Sequence, residues 1–184
     1  MLHFIKSLTE NTDRREIYQE KLKFGKDDLE PVMTEDTIKY HYDGLAAKYS
    51  ERYNAGEGDA DFNYGGATLH NIWFANLTPP RAANRPEGIS KSIIEERYGS
   101  FEKFKEAIEK SAMAIQGSGW VYMDIDGDIK TIPNHEYKQS MKIVLLIDWW
   151  EHSWFTDYGP DKAKYLNNIW RIIDWNVVNI RLGV

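Results

Sequence analysis

The sequence predicts an α+β fold: an N-terminal antiparallel helical hairpin, then an α/β domain with a three-stranded antiparallel sheet and C-terminal helices. Three observations predict it. Apolar residues recur at helical spacing over about 34–53 and 61–77. A proline-rich stretch, Thr78 to Gly88, separates these helices from the rest. Beyond Gly117-Ser118-Gly119 the pattern changes to short apolar runs around an Asp126-Gly127 turn, which reads as strands.

Taken in order, residues 1–30 lack firm periodicity and read as an extended arm ended by Pro31. Thr34 is placed to cap a helix whose first turn carries Glu35 and Asp36, where acids suit the helix dipole. That helix, about 34–53, aligns Ile38, His41, Leu45 and Tyr49 on one face, so His41 points inward. Asn54 to Asp59 is turn chemistry. The second helix carries Gly65-Gly66, Leu69, His70, Trp73 and Leu77. Its glycines cost helix propensity and permit close approach of another backbone or side chain. In a hairpin, His41 and His70 face each other. Helices over about 89–97 and 101–115 follow, the second capped by Ser100. Strands are expected at 120–125, 128–132 and 142–147, a turn at Asp157-Tyr158-Gly159-Pro160, and helices at about 161–172 and 174–182. The expected division is residues 1–78 (arm and hairpin) and 89–184 (α+β domain).

Composition narrows the function. The chain has 184 residues, a net charge of −6 and no cysteine. Thiolate ligands, Fe–S clusters, disulfides and thiol nucleophiles are therefore excluded. The acidic balance argues against a nucleic-acid partner, which needs a basic face. Met1 to Ser7 holds no long apolar segment and no run of about 18 apolar residues exists, so no membrane span is expected. The expectation is a cytoplasmic protein, or one in a host cytoplasm.

The stretch Ile147 to Phe155 organises the chain. An apolar strand ends in Asp148, His152 follows at i+4, and Trp149, Trp150 and Trp154 surround them. Asp-x-x-x-His alone also describes a buried Asp–His hydrogen bond in an aromatic core. The histidine count weighs against that reading. His41, His70, His135 and His152 all fall on core-facing positions or strand ends, more than packing requires. Three imidazoles and a carboxylate without sulfur suit iron or manganese, and zinc less exclusively.

These motifs resemble the iron/manganese superoxide dismutases over about Leu29 to Leu182. Asp148-Trp149-Trp150-Glu151-His152 is similar to the family's D-x-W-E-H-A, and Gly117-Ser118-Gly119-Trp120 to its GSGW. Asn63 to His70 parallels N-x-G-G-x-x-N-H, and Tyr165 to Arg181 parallels the family's tail. The resemblance implies that His41, His70, Asp148 and His152 are ligands of one Fe or Mn ion per chain. It implies that Tyr49 is a gateway residue and that Trp120 and Trp150 wall the pocket. His135 takes the place of a glutamine that touches the solvent on the metal. With Gly66 on the helix, that donor comes from the sheet side. It further implies superoxide as substrate, dioxygen and hydrogen peroxide as products, and a homodimer in which Glu151 reaches the other subunit's His152. Arg181 falls on the arginine of the tail motif. Tyr42, Gly44, Leu45 and Ala46 depart from the histidines and basic residue usual after the first ligand, and Phe155 replaces an interface tyrosine. The alternatives are a catalytically inactive dismutase-like metal-binding or interaction protein, and a zinc hydrolase with the same ligands.

Overall fold

A computed structural model describes residues 15–183. His3 and the start of the expected arm lie outside them. Residues 15–22 run without helix or strand, as an arm. The first helical region begins as expected, with Thr34 Oγ1 accepting from the N–H of Thr37 at 3.3 Å. It is not one uniform α-helix. A short α1 (Glu35–Ile38) passes into a π-helical segment (Lys39–Ala46), which passes into α2 (Ala47–Ala55). Apolar spacing cannot show this, because a π turn adds one residue without changing which residues are apolar. Gly56, at φ 71°, closes α2 in the left-handed region that glycine adopts freely. The antiparallel partner, α3 (Ala60–Ala75), starts at Asp59, whose carboxylate accepts from the N–H of Phe62 at 2.8 Å.

Residues 78–88 are tied down more firmly than a linker. Thr78 N donates to Ile172 O at 2.8 Å, and the Asn84 side chain donates to Trp170 O and Ile173 O. Helices α4 (Gly88–Tyr98) and α5 (Phe101–Met113) follow, with Ser100 capping α5.

The sheet is three-stranded and antiparallel, ordered β2-β1-β3. Strands β1 (Gly119–Asp124) and β3 (Ile143–Asp148) are buried at every position, which explains their continuous apolar runs. β2 (Ile129–Pro133) is an edge strand exposed over most of its length. Trp120 pairs with Ile132 on one side and Asp148 on the other. A 3₁₀ turn (Glu151–Ser153) follows β3, then α6 (Phe155–Tyr158), a helical turn where the sequence predicts only a bend. Asp157 explains it: its carboxylate accepts from the N–H and hydroxyl of Thr34 at 3.1 and 2.5 Å. This contact, between residues far apart in sequence, fixes α6 against the start of α1. Helix α7 (Lys162–Ile169) is closed by a 3₁₀ turn (Trp170–Ile172), and α8 (Trp175–Arg181) ends the fold.

One core cluster includes Leu69, Trp73, Trp120, Leu146, Trp149, Trp154 and Tyr165. It draws on hairpin, sheet and C-terminal helices together. The end of β3 therefore lies against the hairpin, where Asp148 meets both histidine-bearing helical segments.

Candidate metal centre

His41 stands on the π segment, His70 on α3, Asp148 at the end of β3 and His152 in the 3₁₀ turn beyond it. Their ligand atoms all lie within 4.8 Å of one another. Asp148 Oδ2 is 3.2 Å from His41 Nε2, 3.6 Å from His152 Nε2 and 3.9 Å from His70 Nε2. None of these contacts has hydrogen-bond geometry: the three Nε2 atoms and Oδ2 are buried and lack any hydrogen-bond partner among the described residues. Four convergent, orphaned donor atoms are costly in an empty core and are what a cation satisfies. The residues therefore fit one iron or manganese ion.

Their protonation suits that role. Burial lowers the pKa of His41 and drives that of His70 further down, so both imidazoles are neutral. Burial alone would raise Asp148, but the imidazoles of His152 and His41 beside it outweigh this and hold it well below the usual carboxylate range. Neutral imidazole and ionised carboxylate are the metal-binding forms. Two further contacts aim the ligands. His70 Nδ1 lies 2.7 Å from Gly66 O, which turns Nε2 toward the centre. Asp148 Oδ1 accepts from the N–H of Trp150 at 2.8 Å, which leaves Oδ2 free.

The remaining sequence-predicted residues form an aromatic shell. Tyr49 stacks on His70 at a centroid distance of 5.3 Å and meets His135 edge-on at 4.8 Å. Burial, then the Asp148 charge, pushes the Tyr49 phenol up to about 12. Trp150 stacks on His135 at 4.4 Å. Trp120 meets His70 edge-on at 5.0 Å. The double glycine permits this closeness: a Cβ on Gly65 would lie 2.0 Å from His135 O, and one on Gly66 2.7 Å from the Tyr49 ring. Glu151 is exposed, and among the described residues its side chain makes no hydrogen bond or ion pair with the centre of its own chain. Arg181 also stands apart. It donates to Asn76, Val144 O and Ile72 O, and so staples the end of α3 to β3.

Sequence reasoning missed three neighbours. Phe74 packs on His41 at 5.0 Å and stands four residues after His70, a spacing that places it on the same helix face. Tyr165, fully buried, donates its hydroxyl to Asp148 O at 3.0 Å. Phe62 covers His135 at 4.7 Å and Tyr49 at 5.9 Å. For the last two no local pattern announces the contact.

Residues 86–181 match the family described as iron/manganese superoxide dismutases, C-terminal domain. The superoxide dismutase [Fe] of Bacteroides fragilis is 32% identical, over 88% of this chain and 97% of its own length. The chain belongs to the iron/manganese superoxide dismutase family. Other relatives of this dismutase carry the name superoxide dismutase [Mn/Fe]. That of Porphyromonas gingivalis is 29% identical, over 87% of this chain and 96% of its own. That of Aeropyrum pernix is also 29% identical, over 88% of each. The family match covers the half that carries Asp148 and His152. The full-length relatives extend it over the hairpin.

Proposed function

We propose that this dismutase disproportionates superoxide at one iron or manganese ion held by His41, His70, Asp148 and His152. The observation that carries the reading is the convergence of four buried donor atoms without partners within 4.8 Å. When bound, the ion supplies one-electron chemistry: one superoxide is oxidised to dioxygen, and a second is reduced and takes two protons to give hydrogen peroxide.

The chain's own residues do the rest. Three imidazoles, which bind a metal in their neutral form, and one carboxylate would under-neutralise a divalent or trivalent cation, so the pocket would attract a small anion although the protein is acidic overall. Trp120, Trp150 and Phe62 wall the pocket and restrict water. Tyr49 keeps its phenolic proton at neutral pH and, with His135, supplies a proton-holding group beside His70.

The reading extends to assembly and organisation. Residues 1–78 and 89–184 are two units, each giving two ligands to the ion. A homodimer forms through Glu151 reaching His152 of the partner subunit. Supporting this are the exposure of Glu151 and the 58% exposure of Phe155 beside it. The working site is cytoplasmic. Among the described residues, no helix is long and apolar enough to cross a membrane.

The test is to load iron and manganese separately and follow superoxide loss together with metal content. One ion per chain and dismutation are expected, and His70→Ala should lose both. Full metal stoichiometry in that variant contradicts the ligand set. A fully active monomer by sedimentation at micromolar concentration contradicts the dimer.

A further inference from the structure

The ligands differ in how their other polar atom is held. His70 Nδ1 has Gly66 O, and Asp148 Oδ1 has the N–H of Trp150. His41 Nδ1 is buried and has no hydrogen-bond partner among the described residues. His41 also stands on the π segment, a winding that persists only where its surroundings hold it. The direction of this ring therefore depends on packing against Phe74 and on the path of the backbone around it.

That backbone is gripped from outside. Gln19 Nε2 donates to Tyr42 O at 2.7 Å, and the Tyr42 hydroxyl donates to Glu20 O at 2.7 Å. Asn71, next to His70, donates to Tyr18 O at 2.8 Å and accepts from Glu20 N at 3.0 Å. Asn54 of α2 donates to Ile17 O at 2.8 Å and accepts from Ile17 N at 3.0 Å. Side-chain amides thus treat residues 17–20 as a strand would, and the two sites gripped nearest the centre are the immediate neighbours of His41 and His70. No residue between 15 and 28 is fully buried. Polar contacts, more than core packing, hold this strap. Segments held in that way open locally far more often than the fold unfolds.

We propose that residues 17–20 are a latch on the π segment, with Gln19 and Tyr42 as positioning residues for His41, and that opening the latch sets the rate at which the ion enters and leaves. With Tyr42 unclamped, the π segment can relax to α geometry. Removing one residue from the winding turns His41 by about 100° relative to the helix beyond it, away from the other three ligands. This rests on the metal-centre reading.

Two variants separate the hydrogen bonds from bulk. Gln19→Glu keeps the volume and removes the N–H donor to Tyr42 O. Tyr42→Phe keeps the ring on Phe74, 5.2 Å away, and removes the hydroxyl. Manganese-loaded wild type and the double variant are mixed with excess EDTA and metal loss is timed. Cobalt(II)-substituted protein gives the ligand-field spectrum, and urea unfolding of the metal-free protein gives the stability of the fold. We expect the double variant to lose manganese about tenfold faster, the change that two hydrogen bonds support. A shifted cobalt spectrum should accompany it, and the unfolding midpoint should fall by no more than those two hydrogen bonds account for. Unchanged loss rate and spectrum overturn the latch. So does faster loss with an unshifted cobalt spectrum, since the strap then merely stabilises the fold. A wild type that takes up no stoichiometric metal overturns the metal-centre reading itself, and the latch with it.

Discussion

The indole N–H of Trp120 donates to Nδ1 of His135 across 3.2 Å. An indole nitrogen can only donate, so His135 Nδ1 must be an unprotonated acceptor and the ring's proton must sit on Nε2. Burial lowers the pKa of His135 to about 4, so the ring carries that one proton at neutral pH. Nε2 is buried without a partner among the described residues, and the ring lies beside Tyr49, Phe62 and Trp150. A protonated Nε2 cannot ligate a cation. On the proposed reading, His135 would therefore serve the centre as a hydrogen-bond donor; it lies outside the four-residue ligand group.

Long-range ¹⁵N–¹H correlation on metal-free protein should show His135 with Nε2 protonated and Nδ1 bare. Trp120→Phe should release the ring into a mixture of tautomers. The same spectrum in both proteins would mean that Trp120 sets nothing. His135→Gln should leave metal content nearly unchanged while altering iron-loaded and manganese-loaded activity by different factors, because the donor to the centre changes. Equal factors for the two metals at every pH would reduce His135 to packing.

Gly66→Ala should force Tyr49 and His135 apart. The added Cβ would sit 2.7 Å from Tyr49 Cγ and 3.1 Å from His135 Cδ2. Overpacking of this kind costs about 1–3 kcal/mol. Urea unfolding reads the cost. A variant as stable as wild type, with an unaltered His135 resonance, would show that the shell yields freely.

Tyr165→Phe removes the hydroxyl bond to the Asp148 carbonyl in a fully buried place. A stability loss of about 1 kcal/mol is expected. Metal affinity should fall about tenfold, because the strand end that carries Oδ2 loses a support. Competition with a chelator measures it, and affinity equal to wild type would confine Tyr165 to the core.

Acid should expose the part played by Asp124. Burial pushes its carboxyl up, but the Lys130 ammonium and the N–H groups of Asp128 and Asp126 outweigh that and leave its pKa lowered. A carboxyl lowered in the folded state stabilises fully above its unfolded pKa, and that stability is lost as pH falls through the folded value. Asp124→Asn should cost about 1 kcal/mol at neutral pH, since Lys130 is half exposed. The gap from wild type should narrow on acidification below the ordinary aspartate range. A gap that stays constant down to the acid transition would contradict this assignment.

Much of the fold was legible because it follows from burial alone. The runs at 119–124 and 143–148 are apolar because both faces of those strands are covered, and the turn at Gly127, φ 83°, needs the glycine it has. The facing of His41 and His70, now 5.0 Å apart, followed from helical spacing. What spacing could not show were the π winding and two features set by contacts from afar: the helical turn that Asp157 anchors to Thr34, and the hydroxyl of Tyr165 on Asp148. The strap was hidden for a related reason. Asn54, Asn71 and Gln19 are ordinary surface residues until a backbone lies across them. The tautomer of His135 needed the position of one indole nitrogen.

The ligands stand in two pairs, His41 with His70 and Asp148 with His152, and about two fifths of the chain lies between the pairs. Synthesis delivers the chain from its N-terminus. A nascent chain that has reached the hairpin offers two imidazoles and no carboxylate, and no completed strand to bring one near. The ion can be captured by all four residues only once Asp148 and His152 have emerged. A product terminated before Asp148 lacks two of the four residues and so cannot assemble the group that would hold the ion.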